Sequence, residues 1–270
     1  MLDLVSPVIS LLLVMVFVHP QPFVFLLILL PISSIAQNNG TITFGSTLTA
    51  TDNSTSSWLS SSGDFALGFR PLEDEKDLFL LCIWFAKIPD KTIVWDASDK
   101  SKGDIYIPVP RGSKVELKTD QGLVLTDPQG QGAALWISNC VVGTVAKGVL
   151  IDTGNFLLQD NNIKKLWASF DNPTDTLLPT QTMKREGLLS SRQSETNFFK
   201  GRFQLWLRKN KANLVLNTIN LPSDSSNVAY YDTSKTFHQK QGILDTPYSI
   251  QMTSMTAANQ TSYKAMKKTS

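Results

Sequence analysis

The sequence predicts an all-β protein. Val, Ile, Thr, Phe and Trp fall in short runs separated by Gly, Asp, Asn and Pro, the alternation of strands and turns rather than of helices. A unit of strand, polar turn, apolar strand and tryptophan occurs around residues 115–136 and again around 149–167. A weaker echo is Gly201–Trp206 followed by Asn213–Leu216. No such unit can bury its own apolar face, so the units must pack around a shared core. Trp84, Trp95, Trp136 and Trp167 are the expected fillers of that core.

The elements follow in order. Thr41 to Phe44 is the first strand. Phe65, Leu67 and Phe69 alternate on one face of a strand entered through Ser62-Gly63-Asp64. Leu78 to Ala86 is apolar throughout, as a strand buried on both faces must be. Thr92 to Trp95 is the next strand, and the charged stretch Asp96 to Gly103 reads as an exposed loop. Pro108 and Pro110 confine the following segment to an edge or a loop. Val115 and Leu117, then Leu123 and Leu125, flank the turn Asp120-Gln121-Gly122. Val149 to Asp160 reads as a hairpin. Asp152-Thr153-Gly154-Asn155 is its turn, because Gly and Asn tolerate positive φ and Asp bonds its own backbone.

Before Asn39 the chain is strongly apolar. Val8–Val18 and Phe23–Leu30 are split by His19-Pro20-Gln21-Pro22, and Ser33-Ser34-Ile35-Ala36 fits a signal-peptide cleavage site after Ala36. No Lys or Arg precedes Arg70, so the positive n-region is missing. A start at Met15 gives a leader of ordinary length, and the alternative is a retained signal-anchor. A secretory context gives meaning to the sequons at Asn39, Asn53 and Asn259. The two cysteines, Cys82 and Cys140, leave open one disulfide in an oxidising compartment, or a buried free thiol at Cys82 within its apolar run. The net charge of +2 gives no electrostatic footprint for nucleic acid, and Lys264, Lys267 and Lys268 belong to a solvated tail.

Several blocks, in order, resemble one family. They are Ser62 to Phe69, Ile83-Trp84-Phe85 with Lys91 to Trp95, Gly122 to Asp127, Leu150 to Phe156, and Trp167 to Pro179, the most specific. The chain resembles the bulb-type (G-type, monocot mannose-binding) lectin domain, as in the ectodomains of plant G-type lectin S-receptor-like serine/threonine kinases, here without the kinase domain. The resemblance implies a β-prism II: three small antiparallel sheets about a pseudo-threefold axis. Together with the apolar leader and the loss of periodicity toward the C-terminus, it divides the chain into a signal peptide (1–36), a bulb-type lectin domain (39–160), a second, partial lectin-like β region (161–245) and a disordered tail (246–270).

The resemblance also implies mannose sites built on Gln-x-Asp-x-Asn-x-Val-x-Tyr, a polar ladder for sugar hydroxyls with a valine against the sugar's apolar face. In the first unit the five positions are Lys118, Asp120, Gly122, Val124 and Thr126. In the second, Ile151 and Thr153 precede Asn155, Leu157 and Gln159. In the third, Lys209 and Lys211 precede Asn213, Val215 and Asn217. No ladder is complete, and each missing polar group leaves a ligand hydroxyl unpaired.

The expected function is therefore an extracytoplasmic lectin module of a receptor-like protein, secreted or at the plasma membrane, with degenerate sugar sites. Its partner is a mannose-type glycan or a cell-surface protein, with homo- or heterodimers of ectodomains in view. The non-catalytic alternative is an interaction ectodomain that has lost sugar binding. The enzyme alternative is an aspartic protease using Asp152-Thr153-Gly154. It needs a second carboxylate to share a proton, and no second such tripeptide exists in the chain. No His-Arg-Asp or Asp-Phe-Gly sequence is present, so kinase chemistry is not expected. No enzyme activity, cofactor or metal site is expected either.

Overall fold

The computed structural model describes residues 40–251, apart from 52–56, 74, 76, 100–104, 130–132, 139–142, 185, 209–213, 221–222 and 233–248. The leader, the sequon asparagines Asn39, Asn53 and Asn259, Cys140, Lys209, Lys211, Asn213 and the basic tail lie outside the described residues.

Strands are numbered in chain order. First come β1 (Thr41–Thr43), β2 (Thr47–Thr49), β3 (Ser57–Leu59), β4 (Phe65–Pro71), β5 (Leu78–Phe85) and β6 (Ile93–Asp96). Next are β7 (Ser98–Asp99), β8 (Ile105–Tyr106), β9 (Pro108–Pro110), β10 (Lys114–Lys118), β11 (Gly122–Thr126) and β12 (Ala134–Ile137). β13 (Lys147–Leu150), β14 (Phe156–Gln159) and β15 (Lys165–Ala168) lead into a 3-10 turn at Ser169–Asp171. The remainder is β16 (Thr182–Lys184), β17 (Leu188–Arg192), β18 (Lys200–Leu207), β19 (Leu214–Asn220), β20 (Ser225–Ser226), β21 (Tyr231–Asp232) and β22 (Ser249–Gln251).

Three antiparallel sheets make the prism, in strand orders β3-β4-β5-β6, β12-β11-β10-β2 and β1-β13-β14-β15. Each is a hairpin followed by a strand that carries a tryptophan: Trp95 on β6, Trp136 on β12 and Trp167 on β15. The three indoles meet edge to face. Ring centroids are 5.9 Å apart for Trp95–Trp136, 5.9 Å for Trp95–Trp167 and 6.2 Å for Trp136–Trp167. This geometry sets a ring's positive edge against its neighbour's negative face. Trp95 Nε1 donates to the Asn172 carbonyl at 2.8 Å and Trp136 Nε1 to the Ser98 carbonyl at 3.2 Å, so these indoles have a polar partner as well as an apolar one.

The strand pattern follows from the period of two. On β10 and β11, Val115, Leu117, Leu123 and Leu125 point into the central core, and so do Leu150, Phe156 and Leu158 on β13 and β14. β5 is buried on both faces. Phe79, Leu81 and Ile83 enter the central core, while Leu80, Cys82 and Trp84 enter a second cluster with Ala66, Leu72 and Tyr106.

The structure corrects several expectations. Trp84 belongs to the second cluster rather than to the tryptophan hub. Asp96 to Gly103 is not simply an exposed loop, because Asp96 ends β6, Ala97 is buried, and β7 pairs with β8. Of the two readings left open for Cys82, the structure shows the free thiol, and Cys140 lies outside the described residues. Cys82 is a free thiol packed in the second cluster, and burial pushes its pKa far up. The prism runs past residue 160, since β15 pairs with β14 and supplies Trp167. The third prism sheet is β3 to β6. The echo at 201–216 instead forms β18 and β19 of a separate sheet, β17-β18-β19-β20, with β21 also on β19. Ser249–Gln251, in the stretch read as tail, pairs with Thr182–Lys184.

Ion pairs join the prism to the strands beyond it. Asp171 accepts from Lys165 of β15 at 2.7 Å and from Lys184 of β16 at 2.9 Å. Arg192 of β17 pairs with Asp175 and donates to the Ile93 carbonyl of β6 at 3.2 Å. Burial pulls the Asp171 pKa upward, but the two lysines outweigh it and hold the carboxyl below its ordinary 3.8.

Two outcomes are expected. Trp95→Ala removes one ring of the hub and its hydrogen bond, and should cost about 3–5 kcal/mol in urea unfolding, whereas Trp95→Phe should cost less. The lowered Asp171 pKa contributes stability that is present above its unfolded value and is lost as pH falls through the folded one. Wild type should therefore lose more thermal stability than Asp171→Asn between pH 6 and pH 3, as read by circular dichroism melts at each pH.

Candidate functional site

The positions expected to form the first unit's sugar ladder lie on the hairpin of β10 and β11. Lys118 pairs across the strands with Gly122, Glu116 with Val124, and Lys114 with Thr126. These side chains face away from the core because Leu117, Leu123 and Leu125 face into it. Lys118 Nζ lies 3.8 Å from Glu116 Oε2, and Thr126 Oγ1 donates to the Lys114 carbonyl at 3.3 Å. Asp120 is exposed in the turn, and Val124 is buried even on this outer face. The structure therefore brings Lys118, Asp120, Gly122, Val124 and Thr126 to one hairpin. It adds Lys114 and Glu116, which reading along a single strand missed. The cross-strand register is the signal that finds them.

The second unit is wired differently. Leu157 pairs with Val149 and Gln159 with Lys147 on the outer face of β13 and β14. Asn155, the ladder residue kept in this unit, turns inward instead. Its Oδ1 accepts from Ser169 Oγ and from the Phe170 backbone N–H, both at 3.2 Å. Ser169 Oγ in turn accepts from the Phe156 N–H at 2.9 Å. Asn155 is occupied in holding the hairpin to the 3-10 turn.

The third unit is not a surface site. Val215 and Asn217 are 1% and 4% exposed on β19, and Asn217 Nδ2 donates to the Thr218 carbonyl at 3.3 Å. The three groups thus lie on three different sheets, and the structure does not gather them into one pocket.

Asp152 caps a neighbouring turn. Its Oδ1 accepts from the Ser62 N–H at 2.7 Å, and this bond, with others from Ser62 and Ser60, lowers its pKa. Asp64 lies close enough to feel the Asp152 charge, yet hydrogen bonds from Lys87 and Ser62 lower its pKa as well. A carboxylate pair that shares a proton must raise one of its pKa values. Here both fall, so this pair does not supply the proton-sharing dyad of an aspartic protease. Among the described residues no cluster of His, Cys, Asp and Glu could hold a metal ion.

The D-mannose binding lectin family matches the chain over residues 92–196, from the turn before β6 to just beyond β17. The three-sheet prism, its tryptophan hub and this match define a bulb-type lectin domain, and the chain carries one. The similarity to individual proteins reaches further along the chain. It is 45% identical over 198 residues to the G-type lectin S-receptor-like serine/threonine-protein kinase RLK1 of Arabidopsis thaliana, covering 71% of this chain and 23% of that protein. It is 40% identical over 205 residues to LECRK1 of Oryza sativa subsp. japonica, a kinase of the same description, covering 74% and 24%. With LECRK3 of Oryza sativa subsp. indica, of the same description again, the identity is 41% over 199 residues, covering 73% and 24%. The chain spans about a quarter of the length of these relatives. No helix among the described residues is long and apolar enough to cross a membrane.

Gly154 tests the structural reading of the second hairpin. Its φ is +86°, and an added Cβ would stand 2.6 Å from Leu178 Cδ1 and 2.7 Å from Phe65 Cε1. Gly154→Ala should cost more than about 1 kcal/mol in chemical denaturation, through backbone strain and overpacking together. Asn155→Ala should destabilise as well, whereas a ligand residue in the same place would leave stability unchanged.

Proposed function

We propose that this chain is a carbohydrate-recognition module of a receptor-like protein, presented outside the cytoplasm, whose inherited sugar sites are degenerate. The observation that carries the reading is the outer face of β10 and β11. It keeps an exposed acid at Asp120 and an apolar residue at Val124, inside a domain that matches the D-mannose binding lectin family. Lys118, Gly122 and Thr126 take the places of three hydrogen-bonding groups. Weak or altered glycan affinity is the consequence, because each unpaired sugar hydroxyl costs desolvation without return.

A second reading has its own support. Phe203, Trp206 and Tyr231 are 40%, 37% and 48% exposed on the sheet after the prism. Exposed aromatics suit a protein contact, and this reading makes the chain an interaction ectodomain without sugar binding. The organisation that goes with both readings is a secreted prism followed by a partial second β unit.

The full secreted chain on a glycan array should bind mannosides weakly and lose them in Asp120→Ala. Lys118→Gln combined with Gly122→Asn and Thr126→Tyr rebuilds the ladder and should strengthen mannoside binding by roughly tenfold or more. Asn is suited to position 122, where φ is +77°, because it tolerates the left-handed region. No glycan binding by the native or the rebuilt chain, with a discrete protein partner recovered instead, supports the interaction reading.

A further inference from the structure

A second candidate surface lies away from the ladder positions of β10 and β11. It is a cleft of about 1040 Å³ between β4 to β6 and the segment 176–198 beyond the prism. Phe65 at one end of β4 and Arg70 near the other both line it, so it runs for about 17 Å along that strand. Phe85, Leu177 and Phe198 give it apolar patches, while Thr153, Thr176 and Thr180 add hydroxyls.

The cations of this cleft are not equivalent. Lys87 pairs with Asp64 at 2.8 Å, Lys91 donates to the Ala86 carbonyl, and Arg192 pairs with Asp175. The Arg70 side chain has neither a hydrogen bond nor an ion pair among the described residues. Its guanidinium lies over the Trp84 ring at 5.7 Å, and its Nε is buried without a partner. The Thr153 Oγ1, toward the Phe65 end, is also buried and unpartnered. Buried polar groups without partners are uncommon in native structures and call for an explanation. Of the acids that line the cleft, Asp64 is paired with Lys87 and Asp152 accepts from the Ser62 N–H, and Glu73, Asp90 and Glu195 are exposed, where water and salt screen them. A guanidinium backed by an aromatic ring, in a half-apolar cleft and without a counter-ion among the described residues, suits a planar carboxylate.

We propose that this cleft binds an oligosaccharide that carries a carboxylate, with Arg70 taking the carboxylate of a uronic-acid residue. Sugar rings offer the apolar faces that Phe85 and Phe198 suit and the hydroxyls that the threonines suit. The length of the cleft accommodates more than one ring. The proposal rests on the lectin reading above and locates binding on a second surface, independent of Asp120.

The probe is a uronic-acid oligosaccharide and its methyl ester, titrated into the full secreted chain by calorimetry. The acid should bind, more weakly at high salt. Methyl esterification should weaken binding roughly tenfold or more, and Arg70→Gln should weaken the acid by a similar factor while leaving the ester unchanged. Arg70→Lys should fall between, and Asp120→Ala should have no effect. The ester arm alters only the ligand, so it tests the proposal even if Arg70→Gln does not fold. Equal binding of acid and ester, insensitivity to Arg70→Gln, or no binding of the acid overturns the cleft proposal. Where the acid fails in one of these ways and mannoside binding persists through Asp120, the cleft proposal falls and the lectin reading stands. Absence of every glycan response would remove both.

Discussion

The contact among Trp95, Trp136 and Trp167 is the constraint on which the rest of the prism depends. Each sheet is short and turns an apolar face to the centre. Alone, each would expose that face and its strand edges. Meeting at one point lets three small sheets share one core, and an indole from the closing strand of each sheet fills it. Edge-to-face packing of three rings admits little freedom, so the hub sets the relative placement of the sheets. The N-terminal strands then complete the arrangement. β1, β2 and β3 each extend a different sheet, which ties residues 41–59 to all three walls.

The block Trp167 to Pro179 is the wiring that connects this hub to everything else. Trp167 stands in the hub, and the Asn172 carbonyl receives the Trp95 indole N–H. Ser169 and the Phe170 N–H hold Asn155, and Asp171 collects Lys165 and Lys184. Asp175 holds Arg192, and Leu178 packs over Gly154, where no Cβ fits. So dense a set of mutual contacts explains why this stretch is the most recognisable in the chain: most of its residues are occupied in holding the fold together. It also explains Asn155. A residue that can be read as a sugar ligand is, in the folded chain, the acceptor that fastens a hairpin to a turn.

How much of this was legible in the sequence depended on whether the information was local. Strands with a period of two, the two-faced run of β5 and the turn at Asp152 to Asn155 could all be read, because each is set by neighbours in the chain. The identity of the third prism sheet could not. The segment at 201–216 has the right alternation, but membership of the prism depends on a tryptophan reaching the hub, which is a long-range fact. Trp84 misled for the same reason: it alternates with core residues of β5 and so must face the opposite cluster. At the candidate site, Lys118 to Thr126 could be found by reading along the chain, because they follow one another through a single hairpin. Lys114 and Glu116 became visible only through the cross-strand register, and the cleft beside Arg70 only through the packing of segments about a hundred residues apart in sequence.

The cleft and the prism faces differ in what they demand of the fold. A ladder on one hairpin can change residue by residue, because outward side chains contribute little to the core. Lys118, Gly122 and Thr126 stand in ladder positions while Val115, Leu117, Leu123 and Leu125 remain packed inside. The cleft is different, since its walls come from two regions held together by Asp171 and Arg192. Arg192 serves both purposes. It clamps β17 to β6 through the Ile93 carbonyl and lies over the Phe198 ring at 4.4 Å, which places that ring in the cleft wall. The shape of this cleft is therefore tied to the docking of the sheet beyond the prism, whereas the outer face of β10 and β11 is not. A change that loosens the clamp should reshape the cleft before it disturbs the tryptophan hub, because the hub draws all three of its rings from the prism itself.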